Sequence, residues 1–477
     1  MERNLILRKG LAVGIILLFV GTCLIPANSQ DTEKQPLPNN DTWWRRYGGP
    51  NWDLGWYLEH TTVGGYIIAG ESSFHASGNT GGLLIKTDAE GIKIWDKIYG
   101  DPSPSTESII SVCQTSDGGY ISAGYIMPHD YQYTWLIKTD AYGNEIWNKS
   151  YQFVEFSVAN SVVETFDEGF LVAGEIYYYY PNNNSYALLL KVDKDGNEVW
   201  NKTYGGYLQN EFRKIKTTAD GGFIVAGLKH NESLNDSYPW LLKLDKYGEE
   251  QWNKTYIVNK DIQSVFDVLQ THDGGYAMIG YKVDFFHIWL NGWMIKTDKD
   301  GNKEWIRDYQ KIFVYNTPYS FYQTSDGGYI LTGETLNLLK YKITGKFKID
   351  LWLAKTNEMG RIKWSRSFNK ENTNTNITFI DSFGTSILQI DDGGYVVLGN
   401  SNSEGSDDND FDIWLIKTNR YGLSAKTSTF QVSDSMNYRF LERFSIAFPI
   451  LRYVLGIRDF RIDLHPAQEP YNIPGMS

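Results

Sequence analysis

Cysteine is nearly absent from this chain of 477 residues: two in all, Cys23 and Cys113. Cys23 falls within an N-terminal segment that reads as removable, which leaves Cys113 alone and excludes an intramolecular disulfide. Positive charge is also in short supply. Forty-five Lys and Arg stand against 57 Asp and Glu, for a net charge of −12, and such a balance argues against nucleic acid and anionic membrane as partners. Helical periodicity is almost missing before residue 437. Also lacking are a strained nucleophile turn, His pairs at metal-ligand spacing and a phosphate-cradling glycine loop; the seven His are scattered.

What the chain does have begins with an export signal. Residues 1–29 combine a basic start (Arg3, Arg8, Lys9), an apolar run from Leu11 to Ile25 and a small-x-small site at Ala27-Asn28-Ser29. The apolar run is too short for a comfortable membrane span, so a secreted or surface-associated protein beginning near Gln30 is expected. An uncleaved anchor and a lipid at Cys23 are the alternatives. Residues 30–42 read as a linker.

From Trp43 to Gly422 three signals recur seven times in fixed order. A Trp-led strand runs from WWRRYGG at 43–49 to KWSRSF at 363–368. A Gly-Gly or equivalent turn opens a strand, from VGGYIIAG at 63–70 through DGGYISAG at 117–124 to DGGYVVLG at 392–399. A third run ends in a turn, from LLIKTDAEG at 83–91 to WLIKTNRYG at 414–422. Asp-Gly and Gly-Gly supply the positive φ of a two-residue hairpin, and the glycine of KTDxxG suits a longer, bulged one. With a strand ahead of each Gly-Gly turn, every repeat has four short strands. Seven such repeats predict an all-β, seven-bladed β-propeller of four-stranded antiparallel blades. The repeat opens on a Trp strand and closes on a KTN strand, so the last sheet lacks its outer strand. Residues 43–49 are the expected donor, which would close the ring and leave no open edge. The repeated Trp is expected between blades, and Cys113, aligned with Val163, Leu269 and Leu388, in the core.

The spacing Asp88-x-x-Gly91-x-x-x-Trp95 resembles, with one residue fewer before the glycine, the blade motif of quinoprotein-like propellers. The whole pattern over 43–422 is similar to secreted prokaryotic propeller-repeat proteins. The resemblance implies a propeller; in the quinoprotein dehydrogenases it implies also a quinone and a calcium ion in the central funnel. No adjacent-cysteine pair exists here and no cofactor ligand carries over to a numbered position, so no cofactor is predicted.

If strands alternate in direction, the Gly-Gly and KTDxxG turns share one face, and loops of variable length share the other, where binding is usually grafted onto a scaffold. These loops carry aromatics outside the repeat: Trp52 and Trp56 in PNWDLGW at 50–56; Tyr177, Tyr178, Tyr179 and Tyr180 in IYYYYPNNN at 176–184; and Phe285, Phe286, His287 and Trp289 in DFFHIWLNG at 284–292. Beside Asn and Asp they suit stacking on sugar rings or apolar peptide side chains; the plainer reading is that they cover blade ends. The acidic loop SEGSDDNDFD at 403–412 offers Asp407, Asp408, Asp410 and Asp412 as oxygen ligands for calcium, against a solvated charged loop, and its spacing matches no calcium loop. Aligned positions before the Gly-Gly turns give Tyr57, Ser111, Ser161, Lys214, Asp267, Ser320 and Ser386, a ring expected to line the central channel. Lys214 and Asp267 stand out among its small residues, and an ion pair across adjacent blades is expected of them rather than an acid–base pair. Sequons at Asn148, Asn201 and Asn253 fall in the outer-strand WNK[ST]Y pattern.

Residues 423–477 form a tail with an amphipathic helix around 438–457, expected to dock on the propeller, lie at a membrane interface or contact a partner, in that order. The leading expectation is a monomeric, non-catalytic binding protein for a glycan or polypeptide on the variable-loop face; the alternative is a polysaccharide lyase or hydrolase with its site in the funnel.

Overall fold

The computed structural model describes residues 42–424 apart from 50–51, 74–79, 101–104, 129–130, 155, 179–183, 207–209, 232–235, 259–262, 285–288, 310–313, 338–347, 369–379 and 403–410. The expected signal, nearly all of the linker and the expected C-terminal helix lie outside the described residues.

Twenty-eight strands, β1 to β28 in chain order, make seven four-stranded antiparallel blades in a ring, with no helix among the described residues. The chain opens on β1 (Trp43–Tyr47). The innermost strands are β2 (Asp53–His60), β6 (Ser105–Gln114), β10 (Phe156–Glu164), β14 (Glu211–Thr217), β18 (Gln263–Gln270), β22 (Val314–Gln323) and β26 (Ile380–Gln389). Five blades are separate sheets, and a short parallel contact of residues 348–349 with 380–381 joins the sixth to the seventh. β1 pairs antiparallel with β28 (Phe411–Thr418), Trp43 opposite Lys417 and Tyr47 opposite Ile413. The first and seventh blades also share a core of Leu58, Ile68, Ile85, Leu398 and Leu415, among others. Across that junction the Asn400 side-chain oxygen accepts from Gly55 N–H at 2.8 Å.

The Gly-Gly turns hold three loop residues rather than the expected two. In the second blade Thr115 N–H donates to Gly119 O and Gly118 N–H to Thr115 O, so Ser116, Asp117 and Gly118 form the loop. Asp117 fastens the wider turn, its Oδ1 taking the Thr115 hydroxyl at 2.6 Å and the Gly119 N–H at 2.9 Å; the first blade, with Val63 in that place, makes the same loop, Thr61 N–H donating to Gly65 O and Gly64 N–H to Thr61 O. The first glycine supplies the positive φ, +84° at Gly118; in the third blade Glu168 adopts it at +61°.

The same aspartates reach sideways. In six of the seven blades the Lys of the KT run, buried along its stem, meets the turn Asp of its own blade: Lys138–Asp117 at 2.8 Å, Lys243–Asp220 at 2.9 Å, Lys296–Asp273 at 2.8 Å, and likewise at Lys191–Asp167, Lys355–Asp326 and Lys417–Asp392; in the first blade Lys86 donates to the Gly64 and Thr87 carbonyls instead. Partial burial alone would raise the carboxyls of Asp117, Asp220 and Asp273, but hydrogen bonds from Lys, Thr and the glycine N–H outweigh it and bring each down to about 2. A carboxyl lower in the fold than its unfolded value near 3.9 stabilises above that value and loses this as pH falls toward 2. These carboxylates are about half exposed, so solvent screens each pair to about 0.5 kcal/mol. Together Asp117, Asp167, Asp220, Asp273 and Asp326, all held below the ordinary carboxylate range by such bonds, predict a melting temperature that falls steeply between pH 4 and pH 2, measurable by calorimetry. An unchanged melting temperature over that interval would show the pairs to be energetically idle.

The repeated Trp packs between blades, and its geometry explains W-x-x-x-[YF]. Residues four apart on a strand share a face. Trp95 lies against the turn glycine of the next blade, Gly143, where an added Cβ would come within 2.9 Å of the indole. Four residues on, the Tyr99 hydroxyl donates to Gly143 O at 2.7 Å. Trp43 and Tyr47 clasp Gly91 in the same way, and Trp364 meets Gly422. A second tryptophan, on the third strand of several blades, is fully buried; Trp135 and Trp240 donate their indole N–H to Asn148 and Asn253 at 2.6 and 2.7 Å. Those two sequon asparagines are thus tied into their own blades. Cys113 packs against the core between the second and third blades, and burial, then Glu59, pushes its thiol up to about 12.

Candidate functional site

Every innermost strand carries a one-residue β-bulge at the same place. The pairing register slips between Gly55 and Tyr57, Ile109 and Ser111, Ala159 and Ser161, Phe212 and Lys214, Val265 and Asp267, Pro318 and Ser320, and Gly384 and Ser386. A bulge re-aims a side chain and sets two consecutive residues against one partner. Here the extra residues are Trp56, Ile110, Asn160, Arg213, Phe266, Tyr319 and Thr385. All seven line one cavity of 440 Å³, with Phe383, Lys214 and Glu334 among its other walls.

The bulges depend on the last glycine of each DGGYxxAG segment. At Gly124 an added Cβ would lie 1.9 Å from Ser108 O, and at Gly227 1.9 Å from Glu211 O. These are the carbonyls just ahead of the bulges. Only a residue without a side chain lets the bulged strand approach so closely.

The ring expected from the sequence is present. Tyr57, Ser111, Ser161, Asp267, Ser320 and Ser386 line a second cavity of 660 Å³ that opens toward the Gly-Gly turns, alongside Gln114, Glu164, Gln270 and His272. Lys214, the seventh member, faces the first cavity, which opens toward the variable loops. Tyr57, Asp267 and Ser320 touch both cavities and form the partition between them.

The expected ion pair of Lys214 with Asp267 does not form. The Lys214 ammonium position instead stands 3.5 Å from the centre of the Tyr57 ring, a cation–π placement. Asp267 spends its acceptors on Val268 N–H at 2.9 Å, the Ser320 hydroxyl at 3.2 Å and Phe321 N–H at 3.4 Å. These bonds hold its carboxylate along its own strand and toward the next blade. Lys216, two residues beyond Lys214, donates to the Tyr57 hydroxyl. Burial raises Tyr57 to about 12, Lys216 pulling the other way. Burial, followed by the like charge of Lys216, brings Lys214 down to about 7 against the attraction of Asp267 and Glu59.

Around the variable-loop mouth stand carboxylates that period-two reading of the sequence did not single out. Glu71, Glu175 and Glu334 each follow the glycine of the bulge. Burial raises Glu71, with hydrogen bonds from Ser108 and Trp56 opposing. Burial and then the neighbouring Glu211 raise Glu175 to about 7. Arg213 faces both and donates to Glu211 at 2.7 Å. Burial and then Glu334 push the Tyr319 hydroxyl far up, keeping it a hydrogen-bond donor.

Of the aromatics expected on the variable loops, Trp56 belongs to strand β2 and to the cavity wall, because the bulge turns it inward. Trp52 is half-buried just ahead of β2, its carbonyl accepting from Ser73 N–H at 3.0 Å. Tyr177 and Tyr178 end their strand on the variable-loop side, Tyr178 packing edge-on against Tyr186 at 5.5 Å. Tyr179, Tyr180, Phe285, Phe286 and His287 lie outside the described residues, as does the Trp289 side chain, although its backbone opens a strand. Asp407, Asp408 and Asp410 of the acidic loop also lie outside. Asp412 is buried and ion-paired with Arg46 at 2.5 Å. Among the described residues no three His, Cys, Asp or Glu side chains are placed to hold a metal ion.

No protein-family model matches the chain, and no curated protein matches it. Solved structures do. One is a protein of unknown function from Dyadobacter fermentans, at 10% identity over 79% of this chain and 98% of that one, TM-score 0.44. Another is an ulvan lyase from a new family of polysaccharide lyases, at 8% identity over 79% and 97%, TM-score 0.47. A third is the Penicillium chrysogenum α-L-arabinanase complexed with arabinobiose, at 11% identity over 66% and 93%, TM-score 0.42. These likenesses concern the propeller fold alone.

Proposed function

We propose that the protein is an exported binding protein that takes a glycan into the variable-loop mouth of its central channel. The observation that carries this reading is the convergence of all seven bulge residues on one cavity. Its 440 Å³ lies within the range of about 300–1,000 Å³ usual for small-molecule sites. Trp56, Phe266, Tyr319 and Phe383 offer ring faces, and Asn160, Arg213, Lys214, Glu334 and Thr385 offer donors and acceptors between them. Aromatic faces interleaved with a few fixed polar groups match a sugar, whose C–H face stacks while its hydroxyls take directed hydrogen bonds. Export rests on the basic, apolar and small-x-small succession of residues 1–29.

The test is a glycan array probed with the full chain and with Trp56→Ala, alongside a peptide array. Glycan binding that falls at least tenfold in the variant, whose melting curve remains cooperative, is the expected result. Binders on the peptide array alone, or glycan binding indifferent to Trp56, would overturn it.

A further inference from the structure

We infer that Lys214 is a carbonyl-capturing amine, forming an imine with a small aldehyde or ketone admitted to the variable-loop cavity. The inference deepens the binding reading and rests on it only for the cavity, because the open-chain form of a reducing sugar is one such carbonyl compound.

Four observations bear on it. Lys214 is 7% exposed, yet it lines an open cavity. Its amine has no hydrogen-bond acceptor and no carboxylate within ion-pair reach among the described residues, whereas the blade lysines beside it in sequence pattern, such as Lys243, are paired. Its amine stands 3.5 Å from the centre of the Tyr57 ring, with Lys216 at 5.0 Å from the same ring. A buried lysine beside a second cation is the arrangement that leaves an amine uncharged and nucleophilic at neutral pH. The groups facing it are Tyr57 and Glu59 from β2, Cys113 from β6, Lys216 from its own strand and Asp267 from β18; burial and Lys216 outweigh the acidic ones and bring the amine down to about 7.

In the reaction the Nζ lone pair forms a C–N bond while the carbonyl π pair moves to oxygen. A proton passes from nitrogen to that oxygen to give the carbinolamine. Loss of the hydroxyl with a further proton, as water, leaves the C=N bond. Amine and carbonyl thus give imine and water, without oxidant or reductant. Asp267, held by three hydrogen bonds at the partition, and Tyr57 line the same cavity as the amine.

The experiment incubates the full chain with glycolaldehyde and cyanoborohydride at pH 7 and locates the reduced adducts by peptide mass spectrometry. Modification of Lys214 at least tenfold faster than of exposed lysines such as Lys93 is expected. Lys216→Met should slow trapping at Lys214 several-fold at pH 7 and less at pH 9, because removing the neighbouring charge raises the amine. Lys214 reacting no faster than Lys93, or reacting only once the chain is unfolded in urea, overturns the inference. The probe is not a glycan, so silence on a glycan array and silence here are separate failures.

Discussion

Deletion of Trp43–Tyr47 is expected to lower the melting temperature by about 10 °C or more. The strand gives β28 its only outer neighbour among the described residues, through five residue pairs. It also places Trp43 and Tyr47 on Gly91 of the first blade. Arg46 faces Asp412, whose carboxylate is 1% exposed, and removing the cation from such a buried carboxylate costs about 3 kcal/mol or more. Loss of the Trp43 packing adds about another 2 kcal/mol. At roughly 2 °C per kcal/mol for a chain of this size, the sum comes to about ten degrees or more. Calorimetry of the deletion against the intact chain decides it; melting at the wild-type temperature would show that the shared core of Leu58, Leu398 and Leu415 closes the ring by itself.

Gly227→Ala is expected to cost about 3 kcal/mol or more, a fall of roughly 6 °C. The new methyl would meet the Glu211 carbonyl oxygen at 1.9 Å and its carbon at 2.8 Å. Backbone cannot yield as a side-chain tip can, so the fourth-blade bulge must flatten, which would withdraw Arg213 from the cavity. Gly221→Ala is the informative comparison. That glycine has φ of +78° but nothing within 4 Å of an added Cβ, so only conformational strain of about 1 kcal/mol opposes the change. Chemical denaturation of both variants ranks them; a costlier Gly221→Ala would mean that positive φ, rather than close approach, dictates glycine in this repeat.

The blades were legible in the sequence because their turns and contacts are fixed by residues with few alternatives. Asp117 and Gly118 mark a turn, Trp95 marks an interblade contact, and both recur at constant spacing. The channel ring from Tyr57 to Ser386 followed from aligning the repeats. Trp56 was named as a variable-loop aromatic, but the second row it shares with Arg213 and Tyr319 was not legible, since strict alternation sends residue 56 to the opposite face from residue 57. Its sign was present all the same: the last glycine of DGGYxxAG has no positive φ to justify it, so it must answer to a close neighbour. Lys214 and Asp267 were singled out correctly as odd members of their ring, but their pairing was not, because Tyr57 fills the space above the amine and Ser320 and the strand backbone claim the carboxylate.

The bulge has a consequence for how such a protein can change over generations. A residue inserted into the ladder answers to no cross-strand partner, so what occupies it is under little obligation to the sheet. Trp, Ile, Asn, Arg, Phe, Tyr and Thr occupy the seven equivalent places here, a more varied set than any core position of the repeat displays. The glycine opposite carries the whole constraint and is the same in every blade. The two demands are thereby divided within each blade: one residue must be glycine for the strands to approach, and its neighbour across the bulge is the one turned to the cavity.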